Sequence, residues 1–292
     1  MLPRLRTLAL LVVLCAAVSA GVFLVAHDLL GTYRLALHVF SQNEAAYAEF
    51  GTVSAEVAAG SAASARSVYV PILVYHIVRP SYPSDSAAVR RLALTPETFD
   101  AELSHLSEAG YRVVSFGDLE AYFASGTPLP AKPILLSFDD GWQNQFTYAF
   151  PILKKHGFSA TFFVFTNAIG RRGFMTWDEL KRMREAGMTI GAHSRSHPYL
   201  TKIADPAALW DEIAGSKAVL EQRLGVPVTV FAYPFGQYDP SVVADVARAG
   251  YRLARGDFYA GGMVSAERPY ELGAMNAPTT TELFAKKFPA AR

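Results

Sequence analysis

The chain has 292 residues, 51% of them hydrophobic and 18% charged, with a formal net charge of +1. That length supports one large domain with an appendage. The near-neutral charge argues against a phosphate-backbone binder, which concentrates Lys and Arg to displace counterions, so nucleic acid is not expected as a partner. The one cysteine, Cys15, lies in an apolar N-terminal stretch, which excludes an intramolecular disulfide and a thiolate metal site and leaves nitrogen and oxygen as metal ligands.

Arg4 and Arg6 precede an uncharged apolar run from about Thr7 to Ala26, long enough to cross a hydrocarbon core as a helix. Residues 1–26 are therefore read as a transmembrane signal-anchor. The positive-inside rule puts the two arginines in the cytoplasm and the remainder of the chain beyond the cell membrane. Val18, Ser19 and Ala20 form the small-residue pattern at which a signal peptidase would cut if the protein were instead secreted. Residues 27–67, rich in Ala, Ser, Gly and Glu, have too few large apolar groups for a core and are expected to be a juxtamembrane stalk.

From residue 68 to residue 292, short apolar runs alternate with amphipathic stretches, the order of repeated strand and helix units. The runs are Val70 to Tyr75, Tyr111 to Ser115, Ile134 to Phe138, Ala160 to Phe165, Met188 to Ala192, Val228 to Ala232 and Tyr251 to Ala254. Helix ends are legible between them: Thr95-Pro96 opens a helix closed by Gly110, Thr176 and Glu179 form a capping box for one closed by Gly187, and Asp239-Pro240 opens one closed by Gly250. About seven such units suit an α/β fold in which parallel strands form a distorted (β/α) barrel.

Several runs end in residues that can ligate a metal or move a proton: His76, the pair Asp139-Asp140, His193, and Tyr233-Pro234-Phe235-Gly236. In a parallel barrel these strand ends converge on one rim, where active sites form. Two imidazoles and a carboxylate make a facial set for a divalent ion that leaves positions open for water and substrate. Adjacent carboxylates at a strand end point to opposite faces unless the chain bends, and Gly141 supplies that bend. The spacing thus predicts Asp140, His193 and His197 as ligands and Asp139 as the base that deprotonates the attacking water. Zinc is the default ion, with nickel or cobalt compatible with the same donors.

The segments Ser137-Phe138-Asp139-Asp140-Gly141 and His193-Ser194-Arg195-Ser196-His197 resemble the first two signature motifs of the polysaccharide deacetylase family, the NodB-homology domain of carbohydrate esterase family 4. The resemblance covers about Val68 to Arg255. It implies the same roles for Asp139, Asp140, His193 and His197, and it makes Ala232-Tyr233-Pro234-Phe235-Gly236 the third motif, with the Phe235 N–H as an oxyanion donor. That motif usually begins with an Arg that orients the base, and here Ala232 stands there; the late motif with a catalytic His is absent, since no His follows His197. Tyr75-His76 near the domain start and the Phe-Ala-Tyr-Pro-Phe-Gly string resemble the poly-N-acetylglucosamine deacetylase branch, which implies His76 as general acid.

Trp142 and Tyr233 are expected to contact substrate through their rings. The resulting expectation is metal-dependent removal of N-acetyl groups from an extracytoplasmic amino-sugar polymer, a poly-N-acetylglucosamine-like exopolysaccharide of biofilms, in association with polysaccharide export machinery. The alternatives are deacetylation of peptidoglycan, chitin oligomers, a lipid-linked sugar or an O-acetyl ester. A further alternative is a catalytically silent carbohydrate-binding domain, suggested by Ala232.

Overall fold

The computed structural model describes residues 66–256 and 262–290, so the expected signal-anchor and all but the last residues of the stalk lie outside the described residues. Among the described residues, no helix is long and apolar enough to cross a membrane.

Six parallel strands carry the architecture: β2 (Ile72–Tyr75), β6 (Pro133–Phe138), β7 (Thr161–Val164), β8 (Thr189–Ala192), β9 (Val230–Ala232) and β10 (Leu253–Gly256). They lie side by side in the order β10-β9-β8-β7-β6-β2, with Tyr75 beside Phe138, Val164 beside Ala192 and Ala232 beside Arg255. The ring closes through one segment near the C-terminus. Its first part, β12 (Leu272–Gly273), pairs with β10, and its second, β13 (Met275–Asn276), pairs with β2. The distorted barrel expected from the strand and helix count is thus present, with the closing seventh position split around Ala274. Short accessory pairs lie outside the ring: β1 (Ser67–Tyr69) with β11 (Met263–Ser265), β3 (Ile77–Val78) with β4 (Ala93–Leu94), and β5 (Arg112–Val113) against β6.

Strands with apolar residues on both faces suit a sheet covered on both sides. Ile72, Val74, Leu135, Phe163, Val230, Ala232, Leu253 and Leu272 pack together inside the barrel. Leu73, Tyr75, Leu136, Phe138, Phe162, Ile190, Ala192, Phe231 and Tyr233 pack outward against the helices. Strict alternation between these sets determines what each strand end presents at the rim.

The helices begin as their capping residues require. Thr95 accepts the N–H of Thr98 at the start of α2 (Pro96–Glu108), which follows the short α1 (Ala87–Leu92). After α3 (Phe116–Ser125) and α4 (Phe150–His156), Thr176 and Glu179 form the expected capping box of α5 (Trp177–Glu185). Asp239 caps α8 (Pro240–Arg248), and α9 (Thr281–Lys287) packs against α2. The connection from β8 to β9 is a nearly continuous helical stretch, α6 (Pro206–Trp210), a π turn over Asp211–Gly215, and α7 (Ser216–Leu224).

Candidate metal and catalytic site

Alternation carries past the strand ends. With Val74, Ser137 and Gly191 on the inner face, His76, Asp139 and His193 fall on that face two residues later, and Leu253 places Arg255 there as well. Asp140 would then point outward. It turns back because its own φ is +76°, followed by +76° at Gly141. The bend therefore begins on the ligand itself, one residue earlier than the glycine. A left-handed non-glycine residue costs on the order of 1 kcal/mol, a strain typical of functional sites.

The three expected ligands come together. Asp140 Oδ1 lies 3.3 Å from His197 Nε2 and 3.8 Å from His193 Nε2, and the two imidazole Nε2 atoms are 3.1 Å apart. Ligands about 2 Å from a tetrahedral ion stand about 3.3 Å from one another, so this donor set fits zinc or a similar divalent ion. His193 Nδ1 lies 2.7 Å from the Ala232 carbonyl, a bond that places the proton on Nδ1 and leaves Nε2 free for a metal. Burial, opposed by Asp139, pushes His193 down to about 4, which keeps it in the neutral, ligating form. His197 has φ of +63°, and its N–H donates to Ser194 Oγ at 2.9 Å.

Asp139 is 2% exposed. Burial works to raise its carboxyl, but the Arg255 cation, then His193 and His76, draw it below the ordinary carboxylate range, so it is held ionised. Arg255 is fully buried inside the barrel, donates from Nη2 to Asp139 Oδ1, and places its guanidinium 4.6 Å from the Phe163 ring centre. It pairs in register with Ala232 on the neighbouring strand. The cation absent from position 232 therefore reaches the base from the next strand. Sequence reasoning missed Arg255 because it ended the last apolar run at Ala254; the clue was parity, since a cation two residues after inward Leu253 must enter the barrel.

Gln145 was also missed. It lies fully buried at the start of a π turn over Gln145–Ala149, and its Nε2 donates to the carbonyls of His76 at 2.8 Å and Asp139 at 2.5 Å. One side chain thereby ties together the strand ends bearing the expected acid and base. No spacing rule announces a glutamine among the aromatic residues of 142–150.

One of the expected substrate contacts, Tyr233, requires correction. Tyr233 is 1% exposed and donates from its hydroxyl to the Tyr270 carbonyl at 3.0 Å. It shares the outward parity of Phe231, so its ring is core beneath the helices and cannot stack on a sugar. Trp142 stacks on Phe174 with centroids 4.5 Å apart, and its Nε1–H donates to Asp140 Oδ2 at 2.9 Å. Its indole edge thus holds the carboxylate of the expected ligand Asp140, and the half-buried ring stays at the site. Phe235, by contrast, is 43% exposed at φ +59°, stacked on Tyr199 at 3.9 Å and adjoining the His197 ring at 4.6 Å.

Residues 126–254 match the sequence profile of the family described as polysaccharide deacetylase. The Bacillus subtilis (strain 168) protein YxkH, named as a polysaccharide deacetylase, is 26% identical over 184 residues, 63% of this chain and 63% of its own length. The poly-beta-1,6-N-acetyl-D-glucosamine N-deacetylase of Staphylococcus aureus (strain MSSA476) is 23% identical over 201 residues, covering 62% of this chain and 69% of that protein. Among solved structures, the Streptococcus pyogenes deacetylase PplD in complex with acetate superposes with a TM-score of 0.66 at 28% identity, over 72% of this chain and 93% of that one.

Proposed function

We propose that this chain, which is similar to polysaccharide deacetylases in sequence over residues 126–254 and in fold, removes N-acetyl groups from an extracytoplasmic amino-sugar polymer, with a poly-N-acetylglucosamine-like exopolysaccharide as the favoured substrate. The observation that carries the reading is the assembly, within one rim, of three ligand atoms within 4.8 Å of one another and a buried carboxylate paired with a buried arginine. A divalent ion bound there, zinc by default, would lower the pKa of a water and polarise the acetamide carbonyl. Asp139, held ionised by Arg255, takes the proton from the attacking water. The Phe235 N–H stabilises the developing oxyanion. His76, on the same inner face as Asp139, gives a proton to the departing amine, so that acetate and a free amine result.

The exposed Tyr199–Phe235 stack beside His197 supports a carbohydrate substrate, since flat rings suit pyranose faces. The S. aureus relative's named substrate supports the β-1,6-linked polymer. Attachment through residues 1–26, with the domain outside the cytoplasm and near export machinery, belongs to the same proposal and rests on the arginine-flanked apolar run. The silent binding domain loses its motive, because the cation missing at Ala232 is present at Arg255.

The test is acetate release by the full-length protein from β-1,6- and β-1,4-linked N-acetylglucosamine oligomers, after chelation and after restoration of zinc. Zinc-restored release that is faster on the β-1,6 oligomer is expected. Faster release from the β-1,4 oligomer would redirect the substrate to chitin or peptidoglycan, and no release from either, by protein holding zinc, would sink the assignment to amino-sugar polymers.

A further inference from the structure

The two imidazole ligands are separated by Ser194-Arg195-Ser196, a loop with left-handed backbone at Ser194 (φ +67°) and again at His197 (φ +63°). Such a turn points consecutive N–H groups into one concavity that binds an anion. Here a side chain fills it. Glu212 accepts the N–H of Arg195 at 2.9 Å and the N–H of Ser196 at 2.8 Å, both on Oε2, and the Ser196 hydroxyl donates to its Oε1. The opposite edge of the loop is held by backbone alone: the Ser194 and Arg195 carbonyls accept the N–H groups of Thr166 at 3.2 Å and Asn167 at 2.8 Å.

Glu212 reaches the loop from the π turn Asp211–Gly215, whose extra residue interrupts the helix between α6 and α7. Two further features of that turn fit the same loop. Asp211 receives Arg195 Nη1 on both carboxylate oxygens, at 2.7 and 2.8 Å. Gly215 leaves space for the arginine, because a Cβ there would stand 3.1 Å from Arg195 Cδ and 2.4 Å from Asp211 Oδ1. π turns inside helices recur at functional sites, and this one presents its carboxylates to the segment joining the two imidazoles.

We propose that Glu212 is a positioning residue that sets metal affinity: its carboxylate, seated in the 194–197 loop, holds His197 in the left-handed conformation from which it meets His193 and Asp140. The role rests on the metal-site reading above. The bonds of Glu212 go to the loop's N–H groups and the Ser196 hydroxyl, so it acts on how often His197 is in place and not on the chemistry. Loss of a group that orients a ligand typically weakens metal binding about 10- to 100-fold.

The experiment uses full-length protein and measures zinc dissociation constants by competition with a chromophoric chelator, the melting temperature of the metal-free form, and kcat at saturating zinc. For Glu212→Ala the dissociation constant is expected to rise about 10- to 100-fold, with kcat at saturating zinc within a few-fold of the unaltered protein. Glu212→Gln, which keeps an acceptor oxygen, should recover part of that loss. Ser196→Ala, an exposed position that removes only one of the three bonds to Glu212, should show a smaller rise and keeps the test decisive if Glu212→Ala does not fold. Unchanged zinc affinity in Glu212→Gln and Ser196→Ala would overturn the proposal, as would a kcat that stays low in Glu212→Ala when zinc saturates. Failure of the unaltered protein to bind zinc is a separate result that overturns the metal site itself.

Discussion

Two buried carboxyls under the same barrel meet opposite fates. Asp139 is 2% exposed and Glu102, on α2, is 1% exposed, so both lose nearly all their hydration. Asp139 faces a guanidinium and ends below the ordinary carboxylate range. Glu102 has only the Tyr75 hydroxyl, which donates to Oε2 at 3.0 Å, while Oε1 has no partner, and burial raises it to about 8. Burial sets the cost of ionisation, and the partner decides whether it is met. Asp139 is consequently a proton acceptor at neutral pH, whereas Glu102 is a neutral acid among Tyr75, Phe99 and Phe138, rings that lie 5.0 to 5.7 Å apart.

The largest break in this contrast is Asp139→Asn. Removing the base should lower kcat about 10³-fold while zinc binding, measured by metal analysis after dialysis, stays stoichiometric; a variant that loses its zinc would make Asp139 a ligand instead. Arg255→Met comes next, because it gives Asp139 the environment of Glu102. Leaving the carboxylate unpaired should cost about 3–5 kcal/mol in urea unfolding at neutral pH. The acid limb of kcat/KM should also move to higher pH, since the base must then be deprotonated against burial without the cation. An acid limb at its original pH would show that Arg255 is structural only.

Smaller effects sharpen the other side. The Glu102 carboxyl is raised from 4.5 to about 8, so its contribution to stability is fully present below pH 4.5 and is lost as pH rises to about 8. Glu102→Gln should flatten that slope, worth a few kcal/mol across the window, in unfolding curves collected from pH 4.5 to 8.5. Equal slopes in the two proteins would mean that Glu102 is ionised throughout. Tyr75→Phe removes the hydrogen bond that favours the ionised form, so Glu102 should titrate at still higher pH by carboxyl NMR, with a stability change of about 1 kcal/mol.

Much of the site was legible in order along the chain. Asp140, His193 and His197 stand on two strand ends with loops short enough that side-chain identity and spacing imply their meeting, and they do meet. Where the linear reading fails, parity decides. Tyr233 lies two residues beyond outward Phe231 and so faces the helices, and Arg255, though polar, continues β10 two residues beyond inward Leu253. The closing segment Leu272–Asn276 escaped for a different reason: two-residue strands on either side of Ala274 have no periodicity to detect.

By itself, the amino-acid order determined the elements and which strand ends carry Asp139, Asp140, His193 and His197, because apolar runs, caps and motif spacings are local properties of the chain. Only the tertiary structure decided which cation serves Asp139, that Tyr233 is core and Trp142 bonds to Asp140, and that Gln145 and Glu212 reach the strand ends and the 194–197 loop from π turns. Those assignments depend on which strand lies beside which and on how a helix is rotated by one extra residue. Arg255 and Asp139 are 116 positions apart, and nothing along the chain measures the distance that barrel closure removes.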